Sequence, residues 1–206
     1  KTTGKLDIRF MEEEGWKGLE RAERFAQDYK DYDALLTPVM VPERIELQTE
    51  QILKETKKFA TEHGLLMRLH AAQGQLEADA IRRQHGMSSI AYLESIGLLD
   101  EKTLIPHTIL ASGNLYTEDQ SDDDLEILKR NHTKVIHCPL VYARDGRALK
   151  SFGRYRRYGI GMSMGTDTFP PDFFSNIRAG SAMARMLDSN NPSNYAKEFF
   201  EAATIG

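Results

Sequence analysis

A single cysteine, Cys138, stands among 206 residues, so no disulfide can close within the chain and a reducing compartment, the cytoplasm, is the expected one. Basic excess is missing as well. The 27 Lys and Arg are outnumbered by 31 Asp and Glu, for a formal net charge of -4. Arg154, Arg156 and Arg157 cluster, but acidic stretches such as Ser121 to Glu126 offset them, and nucleic acid is not an expected partner. No apolar run approaches the roughly 20 residues that span a bilayer, and KTTGKLDIRF at the amino terminus has no signal-peptide core, so no membrane partner is expected. Repeats, low-complexity tracts and Pro/Gly/Ser linkers are also lacking. With 40% hydrophobic and 28% charged residues, the chain reads as one ordinary globular domain over 1–206.

What is present is an alternation of helix-like and strand-like segments. Trp16, Leu19, Ala22, Phe25, Ala26 and Tyr29 recur at helical spacing over residues 16–30. ALLTPVMV follows as a strand closed by Pro42, then a helix capped by Thr49 that buries Ile52, Leu53, Phe59 and Ala60, then the strand LLMRLH ending on His70. Gln75–Gln84 and Ser89–Ile96 read as helices, and 103–111 as the next strand. Ser121 opens a helix with Asp122 to Asp124 in its first turn, where carboxylates complement the helix dipole. KVIHCPLVY is predicted as a strand over 134–142, Leu149–Tyr158 as a helix, and GIGMSMGTDT as a strand over 159–168. Asp172 opens a helix through Leu187, and Asn194–Ala203 is the last. Five strands separated by helices imply parallel βα units. A closed eight-stranded barrel usually needs about 250 residues, so the pattern fits either an open sheet or a barrel with units missing.

Polar residues gather at the carboxyl ends of these strands. His70 and Gln73 follow one, His107 the next, His137 and Cys138 a third, and Asp167 a fourth. In α/β folds that rim carries the chemistry. Imidazole nitrogens with a carboxylate oxygen suit zinc or ferrous iron, and a metal with an open position lowers the pKa of its water to about 7.

His70-Ala-Ala-Gln73, Pro106-His107, His137-Cys138-Pro139 and Gly165-Thr-Asp167 resemble, in order, the strand-end motifs of the amidohydrolase superfamily, in the branch of cytosine deaminase, guanine deaminase and the triazine chlorohydrolases. The segments SIAYLESIGLLDEKTLIPHTILAS and EFFEAATIG add to the likeness, which runs from about Ala34 onward. It implies a (β/α)8 TIM-barrel fold, incomplete here at about five βα units. It also implies hydrolysis of a C–N or C–Cl bond of a small nitrogen heterocycle by metal-activated water. By this resemblance His70 and Asp167 would be ligands of one divalent metal, zinc before iron, and Asp167 would also accept a proton. His107 would hydrogen-bond the water or oxyanion, and Gln73 and His137 would face the substrate.

Two departures qualify what the resemblance implies. Gln73 stands where deaminating members usually carry glutamate, and an amide cannot shuttle a proton. Nor does a His-x-His pair, the family's first-strand ligands, occur anywhere in the chain, so the expectation is an internal piece of a longer enzyme, without the first strands and the terminal β-sandwich. Exposed sheet edges in such a piece would favour a homo-oligomer. A non-catalytic remnant that binds a ligand or partner chain through those edges is the competing expectation. His63, His85 and His132 fall near helix ends and are given no chemistry; Trp16 and the Phe173-Phe174 pair are expected in the core, Cys138 as a small buried residue, and Arg154, Arg156 and Arg157 on a solvated helix face.

Overall fold

The computed structural model describes residues 8–188 and 195–205. Its elements run in the order α1 Glu12–Tyr29, β1 Val39–Arg44, α2 Glu50–Glu62, β2 Leu66–His70, α3 Gln75–His85, α4 Ser89–Ser95 and β3 Thr103–Pro106. They continue with α5 Asp123–Arg130, β4 Lys134–His137, α6 Pro139–Arg144, α7 Phe152–Arg157, β5 Met162–Met164, α8 Phe173–Leu187 and α9 Tyr195–Thr204. The five strands among the described residues are parallel and lie side by side in chain order. That order belongs to a barrel wall; a doubly wound sheet would reverse direction at a switch point. The α/β, TIM-barrel-type wall of five βα units is therefore as expected.

The pleat divides the side chains. Register pairs Met67 with Thr103, Ile105 with Val135, and Val135 with Met162. These residues, with Leu69, His137 and Met164, are all buried beneath the helices. The opposite face carries Arg68 and His70 of β2, Leu104 and Pro106 of β3, Ile136 of β4 and Ser163 of β5, because successive strand residues alternate.

Caps set several helix starts. Thr49 accepts from the Ile52 amide at 3.3 Å, Ser88 from Ala91 at 3.0 Å and Asp172 from Ser175 at 3.1 Å. Gly86 closes α3 in the left-handed region at φ 73°.

Several expected boundaries move. The strand expected over 34–41 is β1, displaced to Val39–Arg44, and Pro42 lies inside it. This is tolerated because β1 is an outer strand of the sheet and its register shifts between Met40 and Glu43. The strand expected over 103–111 stops at Pro106, since His107 and Thr108 take φ of 75° and 51°. The second half of the expected 134–142 strand is instead helix α6. Pro139 has no N–H for a ladder, and its ring suits the first helical position. The strand expected over 159–168 shortens to Met162–Met164, and the helix over 149–158 to Phe152–Arg157. Asn194 lies outside the described residues. Arg154 is not solvated: it pairs with Asp122 and donates to the Ser112 carbonyl at 3.3 Å, tying α7 to the loop after β3.

Phe199 of α9 stacks on Phe152 of α7 with ring centroids 4.1 Å apart, under Gly180 of α8. A Cβ at Gly180 would meet Phe199 Cε1 at 2.3 Å. Alanine gains about 1 kcal/mol of helix propensity over glycine, but overpacking a fixed aromatic costs about 1–3 kcal/mol. Gly180→Ala is therefore expected to lower stability by up to about 2 kcal/mol in urea unfolding. A higher midpoint would refute this packing.

Candidate active site

His70 ends β2, and its Nδ1 lies 2.7 Å from the Glu43 carbonyl of the neighbouring strand. A carbonyl only accepts, so Nδ1 carries the proton, and in the neutral ring the lone pair is on Nε2. His107 follows β3. Its amide donates to the Ile136 carbonyl at 2.8 Å and the residue bridges to Ala71, which holds the ring 5.4 Å from that of His70 and edge-on to Tyr142 at 5.2 Å. Asp167 follows β5, and its Oδ2 is 3.5 Å from His107 Nε2. His70, His107 and Asp167 line one cleft of about 370 Å³, together with Arg68, Pro106, Ile136, Cys138, Gly165, Thr166 and Phe173. The backbone at this rim takes positive φ at Glu43, Ala72, His107, Thr108 and Asp167, none of them glycine.

His107 is only 2% exposed, and among the described residues neither ring nitrogen has a hydrogen-bond partner. Burial, then repulsion from His70 and His137 once those rings take up protons, push its pKa down to about 3. The imidazole is thus neutral at neutral pH, and its contact with Asp167 joins a neutral ring to a half-exposed carboxylate rather than two ions. Cys138 lines the cleft with a thiol that burial raises to about 12, so it stays protonated and is no nucleophile.

Two sequence-derived site residues stand outside this group. Gln73 lies in the loop after β2, its side-chain oxygen buried without a partner among the described residues, and it is not part of the cleft lining. His137 is on the helix-covered face, between Phe152 at 6.1 Å and Phe199 at 5.9 Å. Strand alternation turns it away from Ile136 and the cleft, so the structure does not bring it to a substrate. Phe173 and Phe174 are not core either, at 44% and 72% exposed; Phe173 forms one wall of the cleft.

Glu77 escaped the sequence reading. Buried in the first turn of α3, it accepts from the amides of Ala72 at 2.9 Å, Gln73 at 2.8 Å and Gly74 at 3.3 Å, and from Ser89 Oγ at 2.5 Å. It shapes the loop behind His70. The available signal was a glutamate at the third helical position. With four donors it is no free base.

A divalent metal fits these residues in kind, through the free Nε2 of His70 and the Asp167 carboxylate. In number the set is short: among the described residues no three His, Cys, Asp or Glu side chains converge as a metal site. No helix among them is long and apolar enough to cross a membrane.

Imidazoles and a carboxylate at the carboxyl ends of a barrel wall are the layout of a TIM-barrel enzyme. The chain belongs to the Amidohydrolase family, whose profile matches residues 17–206. It is 30% identical over 149 residues to a 5-methylthioadenosine/S-adenosylhomocysteine deaminase of Aquifex aeolicus, covering 72% of this chain and 32% of that protein. It is 24% identical over 160 residues to a 5'-deoxyadenosine deaminase of Methanosphaera stadtmanae, covering 76% and 36%. The chain thus spans about a third of the length of these curated relatives. Among solved structures, the guanine deaminase of C. acetobutylicum with bound guanine matches at TM-score 0.78 and 18% identity, over 93% of this chain and 46% of that one. The atrazine chlorohydrolase of Arthrobacter aurescens TC1 complexed with zinc matches at 0.69 and 15%, over 84% and 38%. These two likenesses show the fold.

His137 makes stability depend on pH. Burial lowers its pKa from 6.5 to about 4. Between these values the unfolded chain takes a proton that the folded chain refuses. Its contribution is full above 6.5 and is lost as pH falls toward 4, at up to about 1.4 kcal/mol per pH unit. In urea titrations from pH 7 to 4.5, His137→Phe is expected to lose less stability than the parent; parallel losses would count against a neutral buried ring.

Proposed function

We propose that the cleft is part of the catalytic centre of a metal-dependent hydrolase that adds water to an electron-poor ring carbon of a small nitrogen heterocycle and expels its substituent. The observation that carries this is the convergence of His70, His107 and Asp167 on one cleft. Relatives named as methylthioadenosine and deoxyadenosine deaminases favour cleavage of a C–N bond over a C–Cl bond.

One divalent ion, zinc in first place and iron in second, would be held by His70 and Asp167; when bound, such an ion makes hydroxide available near pH 7. Asp167 takes the proton of the attacking water and returns it to the departing group. Neutral His107 donates a hydrogen bond to the oxygen that adds to the ring, the role burial prepares it for. Gln73 can orient a ring edge by hydrogen bonding but cannot relay a proton, which leaves that work to Asp167. His137 is left out of this scheme.

Metal analysis after dialysis against zinc tests the reading. About one equivalent is expected in the parent chain, with loss in both His70→Ala and Asp167→Asn, and any hydrolysis of amino-substituted purines should fall at least a hundredfold with it. Zinc retained by both variants would sink the proposal. Failure of the parent to bind zinc or turn over substrate would favour the second reading, a non-catalytic binding remnant, which the lack of a third donor among the described residues supports.

We also propose a cytoplasmic protein that self-associates through β1, an outer strand with Val39 and Val41 exposed. Sedimentation should report a concentration-dependent dimer that Val41→Lys weakens; a monomer at all concentrations would contradict this.

A further inference from the structure

His107 and Thr108 take positive φ of 75° and 51° one after the other, where β3 gives way to the irregular loop over 107–122. Neither is glycine and Thr108 is β-branched, so this path is strained and lasts only where its surroundings hold it. On the amino side the hold is the Ile136 carbonyl, which accepts from the His107 amide at 2.8 Å. On the carboxyl side two buried side chains supply it.

The Thr108 carbonyl oxygen accepts from Asn114 Nδ2 at 3.0 Å, from Tyr155 Oη at 3.1 Å and from the Ala111 amide at 3.1 Å. Asn114 Nδ2 also donates to Tyr155 Oη at 3.0 Å, which closes a triangle of hydrogen bonds, and Asn114 Oδ1 accepts from the Lys150 amide at 3.2 Å. Thr108, Asn114 and Tyr155 are all fully buried. Burial raises the Tyr155 phenol to about 12, so it keeps the proton that it donates. In so dry a place these bonds polarise one another, and each donor removed leaves buried partners short. Tyr155 belongs to α7, which grips the same loop from outside as well, since Arg154 pairs with Asp122 and Tyr158 Oη donates to it.

With the His107 amide pinned, φ decides where its Cβ and ring point. Relaxation of that angle to a negative value would swing the imidazole away from Asp167 Oδ2, now 3.5 Å from Nε2, and away from the rings of His70 and Tyr142. Building on the proposed heterocycle hydrolase, we propose that Tyr155 and Asn114 are positioning residues for His107: by clamping the Thr108 carbonyl they hold the strained turn that keeps the imidazole beside Asp167. Neither belongs to the cleft lining, so both act through the main chain.

Three variants separate this clamp from ordinary packing. Tyr155→Phe removes one hydroxyl and keeps the ring, Asn114→Ala removes the second donor, and Phe199→Leu loosens the stack of α9 on α7 away from Thr108. All three are expected to lower the urea midpoint. Proton–carbon spectra of the histidine-labelled chain, with the His107 signal identified by its loss in His107→Gln, are expected to show that signal displaced in Tyr155→Phe and Asn114→Ala and unmoved in Phe199→Leu. In the zinc-treated chain the two clamp variants should lose at least about tenfold in kcat on amino-substituted purines, with KM and zinc content unchanged. A His107 signal that stays in place in both clamp variants, or that Phe199→Leu moves as far, overturns the clamp and leaves the hydrolase reading standing. So does a displaced signal with kcat unchanged. A parent chain that neither holds zinc nor turns over substrate removes the hydrolase reading and, with it, any catalytic purpose for the clamp.

Discussion

Along β2, Arg68 and His70 share one face of the sheet because Met67 and Leu69 fill the other beneath the helices. A slip of one residue in that strand would put an imidazole and a guanidinium into the apolar layer and two large apolar side chains into the cleft. The ordered contents of the site therefore rest on packing on the side away from it. The same parity runs through β3, β4 and β5, which is why Pro106 and Ile136 reach the cleft while Ile105, Val135 and Met162 do not.

Packing alone does not place His70, His107 and Asp167, because each of them sits at or just beyond the end of a strand. Backbone hydrogen bonds from neighbouring strands do that work. The Glu43 carbonyl selects the tautomer of His70, and the Ile136 carbonyl holds the His107 amide. Behind them the Glu77 carboxylate collects three amides of the loop after β2 and the Ser89 hydroxyl, so that the chain leaves His70 in one conformation. A buried carboxylate so supplied with donors acts as a fixed bracket.

Much of this could be read from the order of residues. Apolar runs ending on His70 and His107, and a Gly-Thr-Asp after an apolar strand, carry both the element type and the end at which chemistry would sit, because parallel strands are short, buried and closed by polar residues. His137 misled because the run containing it gives no parity signal: Val135 and Ile136 are both apolar, and only the register with β5 tells which of them faces the helices. Strand ends were overextended at 103–111 and 134–142, where apolar residues continue beyond the last ladder bond; there Pro139 was the residue to heed. The exposure of Phe173 and the pairing of Arg154 depend on contacts remote in sequence, which hydrophobicity does not report.

Five non-glycine residues around the rim, Glu43, Ala72, His107, Thr108 and Asp167, hold their backbones in the left-handed region. Each such residue costs roughly 1–2 kcal/mol relative to an ordinary conformation, so the edge of the sheet that bears His70, His107 and Asp167 is also its least relaxed part. Selection for heat resistance acting on this molecule would find its easiest gains by easing those turns, and a gain at His107 or Asp167 would move a side chain that lines the cleft. Tolerance of heat and competence at the rim are in this way set against each other by the path of the main chain.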